Sequence, residues 1–384
     1  MKLLKLTSVG LPLFKEKLEL SFIASQRVNE DTKDKLFRLN ENYNYYVNNV
    51  NAVIGINASG KTSVLKVILL ALNILDNEPL NHCPTVDILG ESKEAVLDLY
   101  FLSNNDDVCR LRSVISYSSE DNRYYFNDEQ FWIKPLSGVK TKKELVDFYN
   151  YEPLNIRNSD EAFLADDTSI IIAYNKSHGQ RSFVVDLLFM TNYNILGITS
   201  QISPDVIRFL DPTVEDLKLV HNDTKTTVKL KFYGKDWINL PDFFELNNYL
   251  SSGTIKGISI FTVATEVFKR GGYMIVDELE NHFNHEIVST LINLFMNSSV
   301  NKKGGTLIFS THYPEILDEF DRNDSITITR NRNGITAENL SDILKRNDIK
   351  KSDAYQSGYL DGTVPAYEAY AKLKKSIKDA VLEG

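Results

Sequence analysis

A chain of 384 residues with 42% apolar content carries enough apolar side chains for a sizeable buried core, which excludes an intrinsically disordered protein. Its net charge of −9 argues against non-specific coating of nucleic acid, which draws its energy from clustered Lys and Arg releasing counterions, and leaves room only for a local basic groove. Two cysteines, Cys83 and Cys109, are too few for a disulfide framework or a four-cysteine zinc site; MKLLKLTSVG holds no apolar run of signal-peptide length, and the longest apolar stretch, Val64 to Leu75, is broken by Lys66 and Asn73, so a reduced cytoplasm and no membrane are expected.

The first fifty residues alternate short apolar runs, such as Leu18 to Ile23, with polar turns, and they end at Tyr45-Tyr46-Val47 and the run Val50 to Ile56. From Thr62 the period changes: Leu65, Ile68, Leu69 and Leu72 fall on one helical face. Ala95 to Leu102 and Cys109 to Tyr117 read as strands of a flanking β-meander, parted by the turn-forming Ser103-Asn104-Asn105-Asp106-Asp107. Residues 130–249 carry Pro135, Pro153, Pro204, Pro212 and Pro241 with no sustained heptads, which predicts a compact, mainly helical insert in place of a coiled-coil arm. Inside it Ser169 to Tyr174 reads as a buried strand, Phe183 to Leu196 as a helix and Thr227 to Phe232 as an edge strand. Beyond residue 250 the elements alternate: helix Ile255 to Phe268, strand Tyr273 to Val276, helix Glu286 to Asn297, strand Thr306 to Ser310 and strand Ser325 to Arg330, a pattern that implies a parallel sheet covered by helices. Asn333-Gly334 signals a hairpin, and Ala366, Ala369, Tyr370, Leu373, Ile377 and Ala380 line one face of a terminal helix expected to close the domain.

Gly55-Ile56-Asn57-Ala58-Ser59-Gly60-Lys61-Thr62 fits G-x-x-x-x-G-K-[ST] at every fixed position, after an apolar strand and before an apolar helix. Glycines let the backbone turn tightly enough to aim successive N–H groups at a phosphate, and the helix that begins there, with Ser63 in its first turn, adds its positive end. Lys61 is expected to reach the β and γ oxygens of ATP and Thr62 to offer its hydroxyl to Mg²⁺. Tyr273 to Val276 then ends in Asp277-Glu278 at the carboxyl edge of the parallel sheet, where α/β ligands bind. Asp277 would hold Mg²⁺ through water and Glu278 would polarise the attacking water. After the next strand, His312 in Ser310-Thr311-His312 is placed to sense the γ-phosphate. His282 and His285 have no third ligand and are not read as a metal pair.

Leu250-Ser251-Ser252-Gly253-Thr254 is, by itself, an ordinary helix N-cap. Placed between the phosphate loop and the carboxylate strand, it makes the chain resemble ABC-type ATPases, in which a phosphate loop, an LSGGQ-like signature, an Asp-Glu strand and a switch histidine follow in this order. The resemblance implies head-to-tail homodimers or higher oligomers with ATP at the interface, Ser252 and Gly253 touching the partner's nucleotide. It also implies a D-loop at Asn281-His282-Phe283-Asn284, with Asn284 where transporters usually have Asp; no glutamine-loop residue is assigned. The implied fold is an α/β P-loop NTPase head with a mixed core sheet, a flanking antiparallel meander and the insert: 1–129 with the phosphate loop, 130–249 inserted, 250–384 with signature, carboxylates and histidine. Asp277-Glu278-Leu279-Glu280-Asn281, the Ser-Thr-His and Tyr355 to Pro365 look like the AAA15 or OLD-like branch, which includes abortive-infection proteins and is related to Rad50 and SMC heads. That likeness implies an ATPase subunit of an anti-phage system, acting with a nuclease or toxin effector encoded nearby and triggered by DNA or a phage protein. Two other readings stay open: a DNA-repair ATPase of the Rad50, SMC or RecF kind, and a slowly hydrolysing, ATP-gated scaffold.

Overall fold

In a computed structural model of the chain, structure is described for residues 1–91, 94–157, 164–188, 202–222, 225–281, 283–346, 348–363 and 367–382. In chain order the elements run β1 (Lys2–Val9), β2 (Leu18–Ser21), α1 (Glu30–Lys33), β3 (Leu36–Asn40), β4 (Tyr43–Asn48), β5 (Val50–Ile54), α2 (Lys61–Leu75), β6 (Ala95–Leu102), β7 (Asp107–Ser118), β8 (Arg123–Pro135), β9 (Asn155–Ile156), α3 (Ile171–His178), β10 (Val184–Leu187) and α4 (Pro204–Leu210). They continue with β11 (Val214–Asn222), β12 (Lys225–Phe232), β13 (Ile238–Leu240), α5 (Ser252–Arg270), β14 (Tyr273–Val276), α6 (His285–Phe295), β15 (Thr306–Thr311), β16 (Ile326–Asn331), β17 (Ile335–Asn339), α7 (Leu340–Ile343), α8 (Lys351–Gln356) and α9 (Tyr367–Leu382).

The central sheet has the order β10-β14-β15-β5-β16-β17, parallel throughout except for the β16–β17 hairpin. Its middle strands are mostly apolar and buried at every position because both faces are covered. Alternation divides them between two cores: Tyr273, Ile275 and Ile308 face α2, whereas Met274, Val276, Leu307 and Phe309 face α5 and α6. The antiparallel sheet β2-β1-β6-β7-β8-β9 covers the other side of α2, so that helix is sandwiched between two sheets. Leu65, Ile68, Leu69, Leu70 and Leu72 are accordingly no more than 2% exposed, each contributing about 1.5–3 kcal/mol of apolar burial. The result fixes the start of α2 rigidly at the carboxyl edge of the central sheet.

The structure is a mixed α/β P-loop architecture with the expected parallel sheet and antiparallel meander, and it corrects several local readings. Ser169 to Tyr174 is not a strand: α3 takes up most of it, ended by Gly179 in the left-handed region (φ 60°). A short apolar run looks alike as a buried strand or a buried helix, and packing of Ile171 and Tyr174 under the meander decides it. Phe183 to Leu196 is not a helix at its start, because Val184–Leu187 pairs with β14 and becomes the outer strand of the central sheet; residues 189–201 lie outside the described residues. Thr227 to Phe232 is the middle strand of a three-stranded sheet, β11-β12-β13, and not its edge. The expected mainly helical insert is therefore, among the described residues, more strand than helix. Its small core (Ile207, Val214, Leu217, Val228, Leu230, Leu240) continues into Leu250, Ile255 and Ile258 at the start of α5. Finally, α9 forms but does not close the domain: Tyr370, Leu373 and Ile377 are 57–60% exposed, since no described element packs on its apolar stripe.

Candidate nucleotide-binding site

The phosphate loop runs from the end of β5 into α2, and its shape is set by contacts that a larger residue could not make. A Cβ on Gly55 would lie 2.2 Å from Ser59 Oγ and 2.4 Å from Thr329 Oγ1, so only glycine fits where β5 passes β16. Gly60 sits at φ 98° against Ile335, and Ala58 adopts φ 61°, rare for a side chain with a Cβ. The loop is braced from outside by the β16–β17 hairpin: Ser59 Oγ and Thr329 Oγ1 are 2.8 Å apart, and Asn331 Nδ2 donates to Ala58 O at 3.2 Å. Asn57 and Ala58 are exposed, leaving the rim of the loop open to solvent.

At the tip of β14 the buried Asp277 accepts Thr62 Oγ1–H on Oδ2 (2.6 Å) and Ser310 Oγ–H on Oδ1. Thus the hydroxyl at the start of α2 and the carboxylate at the end of β14, 215 residues apart in sequence, point at one spot. Two hard oxygen donors there, open on the loop side, suit a magnesium ion that keeps several waters and phosphate oxygens as its other ligands.

Glu278 has φ 50°, a left-handed conformation costing on the order of 1–3 kcal/mol for a non-glycine residue. It is held there from several sides: its N–H donates to Ser310 Oγ (2.8 Å), its carbonyl accepts Asn281 N–H (2.9 Å), and the next N–H, that of Leu279, donates to Ser310 O (3.1 Å). The turn swings the carboxylate towards β15, where Oε1 lies 3.0 Å from His312 Nε2 and Oε2 accepts Asn281 Nδ2–H at 2.5 Å. The hydrogen bond to His312 holds the Glu278 carboxyl below its usual range.

Lys61 donates to Gly55 O (3.0 Å), Ile56 O (3.4 Å) and His312 Nδ1 (3.1 Å), so all three ammonium hydrogens have protein acceptors. Since Nδ1 accepts, the proton of the neutral ring belongs on Nε2, where it is donated to Glu278. Burial lowers the Lys61 pKa, opposed by Asp277, Glu278 and Glu280. Two strings result: Thr62–Asp277–Ser310 on one side, and Lys61–His312–Glu278–Asn281 on the other.

Residues 50–318, well over half of the chain, match the family described as "AAA domain, putative AbiEii toxin, Type IV TA system". The chain belongs to this AAA family. The match encloses every member of both strings, and the family supports a P-loop ATPase. No curated protein matches the AAA chain. A solved structure from work on "Structural biochemistry of ATP-driven dimerization and DNA stimulated activation of SMC ATPases" is 15% identical to it, with TM-score 0.26, over 36% of this chain and 80% of that one.

Other predicted residues of the AAA chain lie apart from the two strings. Ser251 caps α5, accepting Thr254 N–H on Oγ (3.0 Å), while Ser252 is exposed and Gly253 half-buried; among the described residues no hydrogen bond joins these three to the phosphate loop. Asn284 caps α6 by accepting Ile287 N–H (2.9 Å), work that Asp or Asn performs equally well. His282 lies outside the described residues, as do Val364 and Pro365 of the terminal motif. The rest of that motif packs beside the hairpin that braces the loop, Arg330 donating to Leu360 O and Asp361 O (2.6 Å each).

From the sequence, Ser310, Glu280 and Asn281 are only members of motifs, Asn281 opening the D-loop, with no contacts of their own assigned. Ser310 joins Asp277 to the backbone of Glu278, Asn281 holds one oxygen of Glu278, and Glu280 accepts the His312 N–H. Their signal was polarity in places where a strand end enters a buried turn, but which atoms they meet depends on the left-handed turn at Glu278.

Proposed function

We propose that this chain binds ATP with Mg²⁺ and hydrolyses it at a head-to-tail dimer interface, as the sensor ATPase of an anti-phage or toxin–antitoxin system that controls a separate effector. The observation that carries the ATPase reading is the convergence of Lys61, Thr62, Asp277, Glu278 and His312 at one sheet edge. Backbone N–H groups of residues 57–63 and the Lys61 ammonium cradle the phosphates, and the γ-phosphate takes over the Lys61 and His312 donors that the protein now satisfies internally. Thr62 and Asp277 hold the magnesium ion, which would neutralise charge on the β and γ oxygens. Freed from His312, Glu278 accepts a proton from the attacking water. Ser252, exposed and remote in hydrogen bonding from its own phosphate loop, is left to approach the nucleotide of a second copy.

The place in defence rests on the family description, which names a toxin of a toxin–antitoxin system, and on the likeness of the Asp-Glu-Leu-Glu-Asn and Ser-Thr-His segments to abortive-infection ATPases. A slow, ATP-gated scaffold is the second reading, favoured by the full engagement of both Glu278 oxygens. ATP turnover by wild type and Glu278→Gln, with sedimentation of each in ATP and Mg²⁺, tests both. The expected result is a loss of turnover of about a hundredfold or more, with a trapped dimer. Equal rates would remove Glu278 from catalysis and leave the scaffold.

A further inference from the structure

The chain buries a third carboxylate beside the two that the hydrolysis reading uses. Glu280 is 6% exposed, two residues beyond Glu278, and the left-handed turn at Glu278 folds it back under the end of β15. One of its oxygens, Oε1, accepts the backbone N–H of His312 at 2.6 Å; the other, Oε2, is buried with no hydrogen-bond partner. Leu279, between the two glutamates, points into the core beneath the sheet, so the turn cannot slide without lifting a fully buried side chain.

A carboxyl group with an unpaired buried oxygen is expensive, and an apolar side chain would fill the same volume more cheaply. The cost has a return only if the bond it makes is needed in one geometry. That bond, 2.6 Å long, is to the main chain of the histidine that bridges Lys61 and Glu278. The neighbouring Thr311 Oγ1 accepts the N–H of Tyr313 (3.0 Å), so the two amides on either side of the imidazole's Cα–C unit are each tied to a side chain. Tyr313 itself is 55% exposed, and its ring does not wedge the loop in place.

We infer that Glu280 is a positioning residue for hydrolysis: it clamps the His312 backbone so that the imidazole stays within reach of the Lys61–Glu278 gap when a γ-phosphate enters. Glu280 touches neither nucleotide nor water and acts through His312 alone. This inference rests on the ATPase reading above, and its test separates the two.

The test is a double-mutant cycle on the full chain, following ATP turnover and, separately, affinity for a non-hydrolysable ATP analogue with Mg²⁺. Glu280→Ala is expected to lower kcat at least about tenfold in the wild-type background while analogue affinity changes less than about twofold. In a His312→Ala background the same change is expected to lower kcat by less than about twofold, because the group it positions is already gone. Glu280→Gln keeps an acceptor oxygen and is expected to recover most of the Ala loss. If Glu280→Ala costs as much without His312 as with it, or if it weakens analogue binding in proportion to kcat, Glu280 is a structural residue and the inference is overturned. Failure of wild type to bind the analogue would overturn the ATPase reading itself, whereas intact binding with the wrong cycle overturns only the role of Glu280. Should Glu280→Ala fail to fold, Glu280→Met, which removes the acceptor while filling the volume, takes its place in the cycle: a loss of kcat that disappears in the His312→Ala background supports the clamp, and an unchanged loss refutes it.

Discussion

Ser310 shows how much a single hydroxyl carries in this protein. It donates to Asp277 and accepts the N–H of Glu278, so it ties the Asp277 carboxylate to the strained turn that aims the Glu278 one. In Ser310→Ala the N–H at position 278 loses its buried acceptor, and leaving such a group unsatisfied costs about 1–3 kcal/mol. The expected outcome is a lower denaturation midpoint with unchanged denaturant slope, together with a fall in kcat larger than the change in ATP affinity. Urea titration and steady-state kinetics on one preparation check both halves, and unchanged kcat would detach the turn geometry from turnover.

At the scale of elements, the start of α5 places two exposed serines side by side, of which Ser251 caps the helix. Ser251 is the N-cap, bonded to Thr254 N and lying 2.8 Å from Thr254 Oγ1, while Ser252 projects from the first turn without a side-chain hydrogen bond among the described residues. Ser251→Ala is expected to cost about 1 kcal/mol of stability. Ser252→Ala is expected to cost under about 0.5 kcal/mol, as surface substitutions do, yet to lower ATP turnover and ATP-dependent self-association. Thermal or urea unfolding set against ATPase assays and sedimentation distinguishes them; a reversed pattern would move the interface role to Ser251. The element scale is also where local sequence misleads. The Ile170-Ile171-Ile172 run fits a strand as well as a helix, and the strand Val184–Leu187 is decided by its partner β14, 89 residues away at the Val184–Tyr273 pair.

For the molecule as a whole, burial of charge sets the response to pH. Lys2 is buried under β1 with its ammonium donating to Gly271 O (2.9 Å) and Gly304 O, and burial lowers its pKa from 10.5 to about 7. Between pH 7 and 10.5 the unfolded chain holds this proton and the folded chain does not, so folding stability rises with pH across that window and the gain is absent below about 7. Lys134, lowered to about 8 by burial, adds in the same direction from there upward. Denaturation midpoints are therefore expected to climb from pH 7 to 9, roughly 2–3 kcal/mol of it from Lys2 as an upper bound. In Lys2→Met the climb is expected to flatten whatever the absolute stability of the variant; an unaltered slope would show that Lys2 stays charged in the folded chain.

The glycine-rich turn between β5 and α2, the Asp-Glu end of β14 and the Ser-Thr-His end of β15 were legible from residue types and spacing, because each is a short local pattern. The parallel sheet was legible too, since strands covered on both faces are mostly apolar runs and the helices between them keep a helical period. What only the tertiary structure decided is which distant groups meet: Thr62 with Asp277, Lys61 with His312, and Glu280 with the backbone of residue 312. It also decided that β12 is a middle strand and that α9 stands with its apolar stripe uncovered. Those outcomes depend on a left-handed turn at a glutamate and on strand pairing across long separations, and neither leaves a period or a motif in the sequence to read.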